Sequence, residues 1–260
     1  MTTNLIIEDP FRNLDIKGTV KIKDLSINVP TKYFGNVFMG TFPISTNKVK
    51  DIIKTDKLKP IEIIPEKSLV AITIFYNHET PVGPYKEIVL SIPVLYNTKI
   101  AFPLLPLLFK TIFKNYGYYV ILVASDTDLS REEGEIFGYN HYEKNINVEF
   151  KNTESFFSAQ IEEGNKKILS LKVNKLKNER IERTDYQTYF INNNHLYKIE
   201  MNTIAIVARS LNKNNGILEL GSHEITNILK SLEIMQKPIE VSYYRNSIEI
   251  LNLPKDLGEV

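Results

Sequence analysis

The feature that most constrains the fold is a long succession of short strand-like segments with very little helix between them. β-Branched, aromatic and other apolar residues recur in residues 16–29, 33–42, 69–76, 85–94, 118–124, 146–150, 156–161, 168–173, 186–202, 204–211, 216–220, 239–244 and 247–251. Only the residues after Ser45 or Thr46 and residues 225–232 show helical periodicity. Strands without long helices between them predict a mainly β (α+β) fold, an antiparallel barrel or sandwich with a few short helices.

Composition limits the partners that such a fold can have. The 260 residues are 43% hydrophobic, and 32 basic against 31 acidic side chains give a net charge of +1. No overall field therefore draws the chain to nucleic acid or to an acidic membrane, and we expect neither as a partner. The sequence has no cysteine, which excludes disulfides and thiolate chemistry and is compatible with the cytoplasmic location that we expect.

No pattern of ligands indicates a metal or a cofactor. The four histidines lack the His-x-x-x-His spacing of a metal site, and no glycine-rich phosphate loop leads from a strand into a helix. We therefore expect no metal and no cofactor.

The most apolar window is Ile100 to Phe113. Pro103, Pro106 and Lys110 interrupt it, and it is shorter than the ~20 residues that a membrane helix needs. We interpret it as core or as an interface between subunits, which predicts a homo-oligomer.

The stretch from Glu133 to Lys144 is the strongest candidate for a functional site. It combines acidic residues, two glycines, four ring side chains and a lysine, a mixture that is untypical of a strand or an amphipathic helix. It therefore predicts a site loop after the apolar run 118–124. Glu132 and Glu133 are interpreted as a solvated pair of charges.

This stretch resembles the signature of the acetoacetate decarboxylase family. The family motif is Gly-Arg-Glu, two or three apolar residues and Tyr-Pro-Lys-Lys, and its first lysine forms the Schiff base with the substrate ketone. Gly-Glu-Ile-Phe-Gly-Tyr at residues 134–139 is similar to the front of this motif. Asn140, His141 and Tyr142 then stand where the family has its proline, its Schiff-base lysine and its second lysine.

Other segments resemble the same family in the same order, from about residue 30 to residue 250. Residues 83–87 resemble its Tyr-x-Glu and place Glu87 at a carboxylate that faces the lysine site, whereas Thr73 stands at a second carboxylate position. Thr31 or Lys32 occupies the region of the family arginine. Residues 45–66, 216–223 and 238–244 are also similar to family segments. The resemblance implies a closed antiparallel β-barrel or cone as a single domain over residues 16–252, after a flexible tail at 1–15.

The resemblance also implies a carbon–carbon lyase, a decarboxylase acting on a small β-keto acid or a related carbonyl compound. Imine formation needs a neutral lysine, and Lys144 is the nearest amine to the motif. Two alternatives stay open. One is an enzyme of the same fold that forms no Schiff base and uses His141 and Tyr142 for proton transfer. The other is a catalytically inactive protein that binds small molecules or serves in assembly.

The candidate residues follow from these matches and from side-chain chemistry. The candidate catalytic residues are Glu87, Glu135, His141, Tyr142 and Lys144. The candidate substrate-binding residues are Tyr85, Tyr139 and Lys32. Each also has a plain structural interpretation, as a rim carboxylate, a hydrogen-bonded loop histidine, a packed ring or a solvated charge.

Overall fold

The computed structural model describes residues 5–98 and 115–260, and most of these residues lie in strands. The strands are β1 (Gly18–Ile22), β2 (Leu25–Val29), β3 (Thr31–Ser45), β4 (Leu58–Pro60), β5 (Lys67–Glu79), β6 (Tyr85–Tyr96), β7 (Tyr116–Ser125), β8 (Asn147–Asn152), β9 (Phe156–Glu163), β10 (Lys166–Asn174), β11 (Arg180–Asn192), β12 (His195–Ser210), β13 (Gly216–Leu220), β14 (Glu240–Leu251) and β15 (Lys255–Glu259). The helices are α1 (Thr46–Lys50), α2 (Asp128–Ile136) and α3 (Glu224–Ser231), with a 3-10 turn at Lys213–Asn215.

Seven strands close into a barrel in the order β11, β7, β6, β5, β3, β14 and β12, and β12 pairs with β11 to complete the ring. Neighbouring strands are antiparallel except at one seam, where β7 and β11 run parallel through three residue pairs. The predicted closed β-barrel with a few short helices is confirmed, with that parallel seam as the exception to its antiparallel order.

A second antiparallel sheet, in the order β13, β10, β9 and β8, packs against the barrel. Successive side chains of a barrel strand point to opposite faces of the wall, and apolar residues occupy both faces. Along β3, Val37 and Met39 face the interior, whereas Phe38 joins one hydrophobic core with Leu171 of β10 and Leu229 of α3. The outer face of the barrel, the second sheet and α3 therefore share a core.

A smaller hydrophobic cluster joins the β1–β2 hairpin to α2. Ile22 and Ile27 pack there with Tyr33, Tyr85 and Phe137, all of them buried. This cluster positions α2 over the barrel next to the residues that form the candidate site.

Residues 5–15 form no helix or strand, and they contact the barrel. The ammonium of Lys32 pairs with the Asp9 carboxylate and donates a hydrogen bond to the Phe11 carbonyl at 3.3 Å. The guanidinium of Arg183 lies 5.4 Å from the centre of the Phe11 ring.

The apolar window Ile100 to Phe113, predicted as core or as a subunit interface, lies outside the described residues. Among the residues that are described, no helix has the length and apolar character needed to cross a membrane.

The prediction of a site loop at Glu133 to Lys144 is wrong for its first part, because residues 128–136 form helix α2. Thr127 caps the helix, its hydroxyl accepting from the Ser130 amide at 3.2 Å, and Gly138 follows the helix with a φ of 91°. The prediction of one strand over residues 186–202 is also wrong. A turn at Asn193 and Asn194, both with positive φ, separates β11 from β12.

Candidate active site

The interior of the barrel encloses a cavity of about 160 Å³, lined by inward-facing residues of the barrel strands and by one face of α2. Its walls are mostly apolar and aromatic. Val37, Met39, Phe75, Val89 and Val120 are among the apolar residues that line it.

Three glutamates from three different elements line this cavity. Glu87 lies on β6, two residues beyond Tyr85 on the same face of the strand. Glu133 lies on the buried face of α2, and Glu249 lies on β14, where its neighbours across the sheet are Tyr33 and Thr203. The cavity therefore has a carboxylic acid cluster, which we define as Glu87, Glu133 and Glu249.

The acid cluster makes few hydrogen bonds to the described protein. Tyr33 donates its hydroxyl to Glu133 Oε1 at 2.9 Å, and Ser247 donates to Glu249 Oε1 at 2.8 Å. The Glu87 carboxyl accepts none from residues 5–98 or 115–260. Four carboxyl oxygens of the cluster are thus available to a ligand.

Burial raises the pKa of every carboxyl in the acid cluster, and repulsion from the neighbouring carboxylates adds to this for Glu87. Burial, followed by the charge of Glu133 and then that of Glu249, raises the pKa of Glu87 to about 8. Burial raises the pKa of Glu133 to about 7 against the opposing hydrogen bond from Tyr33, and it raises the pKa of Glu249 to about 7. Proton-bearing and ionised carboxyls therefore coexist in the cavity near pH 7.

Tyrosines surround the acid cluster. Burial raises the pKa of Tyr33, Tyr85 and Tyr139, so their hydroxyls keep their protons. The Tyr139 hydroxyl is hydrogen-bonded to Thr188 Oγ1 at 2.7 Å. These hydroxyls supply neutral hydrogen-bond donors beside the carboxyls.

The lining contains one cation and no lysine among the residues that the structure describes. That cation is Arg209, whose guanidinium is 2.9 Å from Glu182 Oε2 and 3.4 Å from the Tyr244 hydroxyl. Strands β12 and β14 are paired, with Arg209 of β12 opposite Ser242 of β14 and Thr203 of β12 opposite Glu249 of β14. At about 3.3 Å per residue, the Cα atoms of Arg209 and Glu249 are about 20 Å apart along the strands.

The structure brings three of the eight predicted site residues together in the cavity, namely Glu87, Tyr85 and Tyr139. Glu135, predicted to line a cavity, is exposed, because it lies two residues from Glu133 on the other side of α2. Lys32 is outside the cavity lining and is paired with Asp9. The prediction that Glu133 is solvated is wrong, since its exposed fraction is 3%.

His141 lies behind α2, outside the cavity lining. Its ring packs on Gly134, where an added Cβ would be 2.5 Å from His141 Cδ2. The Nδ1 atom of His141 is 3.4 Å from the backbone carbonyl oxygen of Tyr142. The buried Nε2 atom has no hydrogen-bond partner in the described part of the chain. Burial lowers the pKa of His141 to about 4, so the ring is neutral at pH 7.

Tyr142 and Lys144 come together in a separate surface cluster centred on Glu163. The Lys144 ammonium is 3.0 Å from Glu163 Oε1, and 62% of the Lys144 side chain is exposed. The Tyr142 hydroxyl is 2.5 Å from Glu163 Oε2 and 2.6 Å from Glu224 Oε1. These two candidates therefore share Glu163 as a partner, and neither lines the cavity that holds the acid cluster.

Glu163, His223 and Glu224 place possible metal-ligand atoms within 4.8 Å of one another. His223 caps α3, and its Nδ1 accepts from the Ile225 amide at 3.2 Å. The ring proton then lies on Nε2, which donates to Glu163 Oε2 at 2.8 Å. This arrangement is a hydrogen-bonded helix cap, and the Nε2 lone pair that a metal would need is not available.

Sequence reasoning missed Glu133 and Glu249, and each had a local signal. Glu249 is the polar residue between Ile248 and Ile250 in a strand pattern, which indicates a polar residue facing away from the core side. Glu133 follows a Thr-x-x-Ser cap by three residues, so recognising the helix would have placed it on the same face as Ser130.

The fold is supported by similarity to solved structures and not by any sequence match to a known family or protein. No family model matches the sequence, and no curated protein matches it significantly. Acetoacetate decarboxylase from Legionella pneumophila aligns with a TM-score of 0.60 and 15% identity over 88% of this chain and 88% of its own. The enduracididine biosynthesis enzyme MppR complexed with pyruvate aligns with a TM-score of 0.57 and 9% identity over 88% and 91%. An acetoacetate decarboxylase-like enzyme from Sphingomonas wittichii RW1 aligns with a TM-score of 0.52 and 12% identity over 89% and 94%.

Proposed function

We propose that this chain, whose fold is that of the acetoacetate decarboxylase-like proteins, binds a small carbonyl compound in the barrel and moves protons on it without forming an imine. The observation that carries the proposal is the lining of the cavity, which presents the three carboxyls of the acid cluster and no lysine within the described residues. The complex of MppR with pyruvate supports a small carbonyl ligand for a barrel of this fold.

Imine chemistry requires an amine that is neutral and next to the substrate carbonyl. Lys144, the candidate amine, is exposed, and the carboxylate of Glu163 raises its pKa, which keeps it protonated. Both facts oppose its use as a Schiff-base nucleophile.

The acid cluster contains the two groups that an imine-free proton transfer needs. Glu87, with the higher pKa, keeps its proton at pH 7 and donates it to the carbonyl oxygen of the substrate. Glu133, oriented by the Tyr33 hydroxyl, is partly ionised and accepts a proton from the carbon next to the carbonyl. We assign Glu87 as the acid and Glu133 as the base because neighbouring carboxylates disfavour ionised Glu87, whereas the hydrogen bond from Tyr33 favours ionised Glu133.

In this step the C–H bond breaks and its electron pair forms a carbon–carbon double bond. The carbonyl π electrons move to oxygen, which takes the proton of Glu87, and the product is an enol. Reversal of the step returns a proton to carbon, and in heavy water it returns a deuteron.

Proton nuclear magnetic resonance in heavy water tests the proposal. The full-length protein is incubated with acetone, hydroxyacetone, pyruvate or acetoacetate, and loss of the signals from protons next to the carbonyl is followed. We expect catalysed exchange with at least one of these compounds, and a fall of roughly 10²-fold or more in Glu87→Gln and in Glu133→Gln.

Glu135→Gln is the matched control, because Glu135 lies on the same helix as Glu133 and is exposed. It should exchange protons at the wild-type rate. Unchanged exchange in Glu87→Gln, or no exchange with any of the four compounds, would contradict the proposal.

A further inference from the structure

The acid cluster presents hydrogen-bond acceptors that the protein does not satisfy. Glu133 is 3% exposed and Glu249 is 7% exposed, and each accepts a bond on Oε1 only, while the Glu87 carboxyl accepts none from the described chain. All three residues line the cavity, where a ligand that brings several hydrogen-bond donors can bind these oxygens.

A carboxylate is poorly matched to this end of the cavity. It would add a negative charge beside Glu133 and Glu249, which are already partly ionised near pH 7. The cation in the described lining, Arg209, is bonded to Glu182 and lies about 20 Å along the strands from Glu249.

A positively charged group is well matched. An ammonium has three donors and a guanidinium has five, and both bind carboxylates with charge-assisted hydrogen bonds. Aromatic rings of Tyr33, Tyr85 and Tyr186 line the same cavity, and ring faces attract cations.

The charge state of the cluster also suits a cation. With pKa values of about 7, Glu133 and Glu249 need little free energy to ionise at pH 7 when a cation arrives. Glu87 and Glu133 act on the carbonyl in the proposed reaction, which leaves Glu249 to hold the charge.

We infer that the substrate is a small carbonyl compound bearing an ammonium or guanidinium group, which Glu249 binds inside the barrel. This inference rests on the proposed function and names the chemical class of its substrate.

Isothermal titration calorimetry at pH 7 with aminoacetone, hydroxyacetone and pyruvate tests the inference. The three compounds share an acetyl group and differ in carrying a positive, a neutral or a negative substituent. We expect aminoacetone to bind at least about tenfold more tightly than hydroxyacetone, and pyruvate to bind most weakly.

Two further readouts separate recognition of charge from a general effect on the cavity. In Glu249→Gln the preference for aminoacetone over hydroxyacetone should be lost, whereas Glu135→Gln should keep it. Binding of aminoacetone should release protons, seen as binding enthalpies that differ between phosphate and Tris buffers, because the cation lowers the pKa of the carboxyl that receives it.

The outcomes distinguish this inference from the proposed function. Tightest binding of pyruvate, or equal affinities for the three compounds, overturns the inference and leaves proton exchange on a neutral ketone standing. Absence of exchange with every carbonyl compound overturns the proposed function. Absence of binding of aminoacetone overturns the inference whatever the exchange assay shows.

Discussion

At the scale of single residues, the acid cluster is held at a cost in stability. Burial raises the pKa of all three carboxyls above their ordinary values, so the folded state holds protons that the unfolded chain would release. A raised pKa gives a stability that is full below about pH 4.5 and declines as the pH rises through the pKa of the folded state. The cluster therefore favours folding at low pH and opposes it at high pH.

Glu87→Gln should remove one such contribution. At pH 5 the variant and the wild type should have similar free energies of unfolding, because protonated Glu and Gln are both neutral. From pH 5 to pH 9 the wild type should lose on the order of a few kcal/mol relative to the variant, since the pKa of Glu87 is about 8. Urea titrations across this range measure the difference, and Glu135→Gln should follow the wild type. A difference that does not change with pH would show that Glu87 is solvated.

Gly134→Ala should destabilise the protein although alanine usually stabilises a helix by about 1 kcal/mol. The added Cβ would lie 2.5 Å from Cδ2 of the buried His141 ring, and overpacking of this kind costs typically about 1–3 kcal/mol. Introducing the same change into His141→Ala should reverse its sign, because the ring is gone. Denaturant unfolding of the single and double variants checks this, and additive effects would contradict the contact.

The candidate residues show which part of a site a sequence can predict. Glu87 was predicted from the resemblance of residues 83–87 to the family's Tyr-x-Glu, and the structure puts it in the cavity lining on the same strand face as Tyr85. Glu135 was predicted because it matches a motif position of the family, but it lies on helix α2, where two residues turn a side chain by more than half a revolution and Glu133 faces the cavity instead. The charge state of the cluster depends on contacts between β6, α2 and β14, which no local pattern contains.

At the scale of elements, the surface cluster around Glu163 joins the second sheet to α3 and to the segment after α2. Glu163 ends β9, Tyr142 and Lys144 follow α2, and His223 caps α3. The pKa of Glu163 is lowered to about 2 by hydrogen bonds, of which the one from Tyr142 has the largest effect, followed by those from His223 and Lys144. A lowered pKa gives stability that is present above about pH 4.5 and is lost as the pH falls towards 2.

Glu163→Gln should therefore make the protein less sensitive to acid between pH 5 and pH 2. Its melting temperature should be lower than that of the wild type at pH 6, and the two should converge as the pH falls. Differential scanning calorimetry measures this, with Glu162→Gln as the neighbouring control that should remain parallel to the wild type. A constant gap down to pH 2 would show that the charge of Glu163 has no part in joining these elements.

Element boundaries were harder to predict than element types. The apolar pattern continues on both sides of Asn193 and Asn194 and so predicts a single strand, whereas the structure has a turn at these two residues. Asparagine adopts positive φ readily, so two adjacent asparagines were the signal for a hairpin.

At the scale of the whole molecule, closure of the barrel depends on the short parallel seam between β7 and β11. Many short strands without long helices predicted a barrel or a sandwich, a pattern that tolerates errors at single positions, and the family resemblance implied the closed barrel. The parallel seam was beyond prediction because it joins two strands that are distant in the sequence, Gly117 to Tyr119 with Gln187 to Tyr189.

Gly117→Ala should open this seam. An added Cβ would press against the backbone carbonyl of Gln187 and lie 2.6 Å from Tyr189 Cε2. We expect a loss of roughly 2–4 kcal/mol in the free energy of unfolding, since backbone cannot move aside as a flexible side chain can. Hydrogen exchange should rise first in β7 and β11. Gly18→Ala, where the nearest atom is Leu253 Cδ1 at 4.0 Å, is the control, and equal losses in both variants would argue against strain at the seam.

The lining of the cavity, over residues 5–98 and 115–260, holds carboxyls and no lysine, whereas imine chemistry needs an amine. Reductive trapping tests this most directly: the protein is treated with borohydride in the presence of acetone, hydroxyacetone, acetoacetate or pyruvate, digested, and analysed by mass spectrometry. We predict intact protein with no reduced adduct under conditions in which Glu87-dependent proton exchange proceeds. A stoichiometric adduct on any one lysine of the chain would show that the reaction runs through an imine.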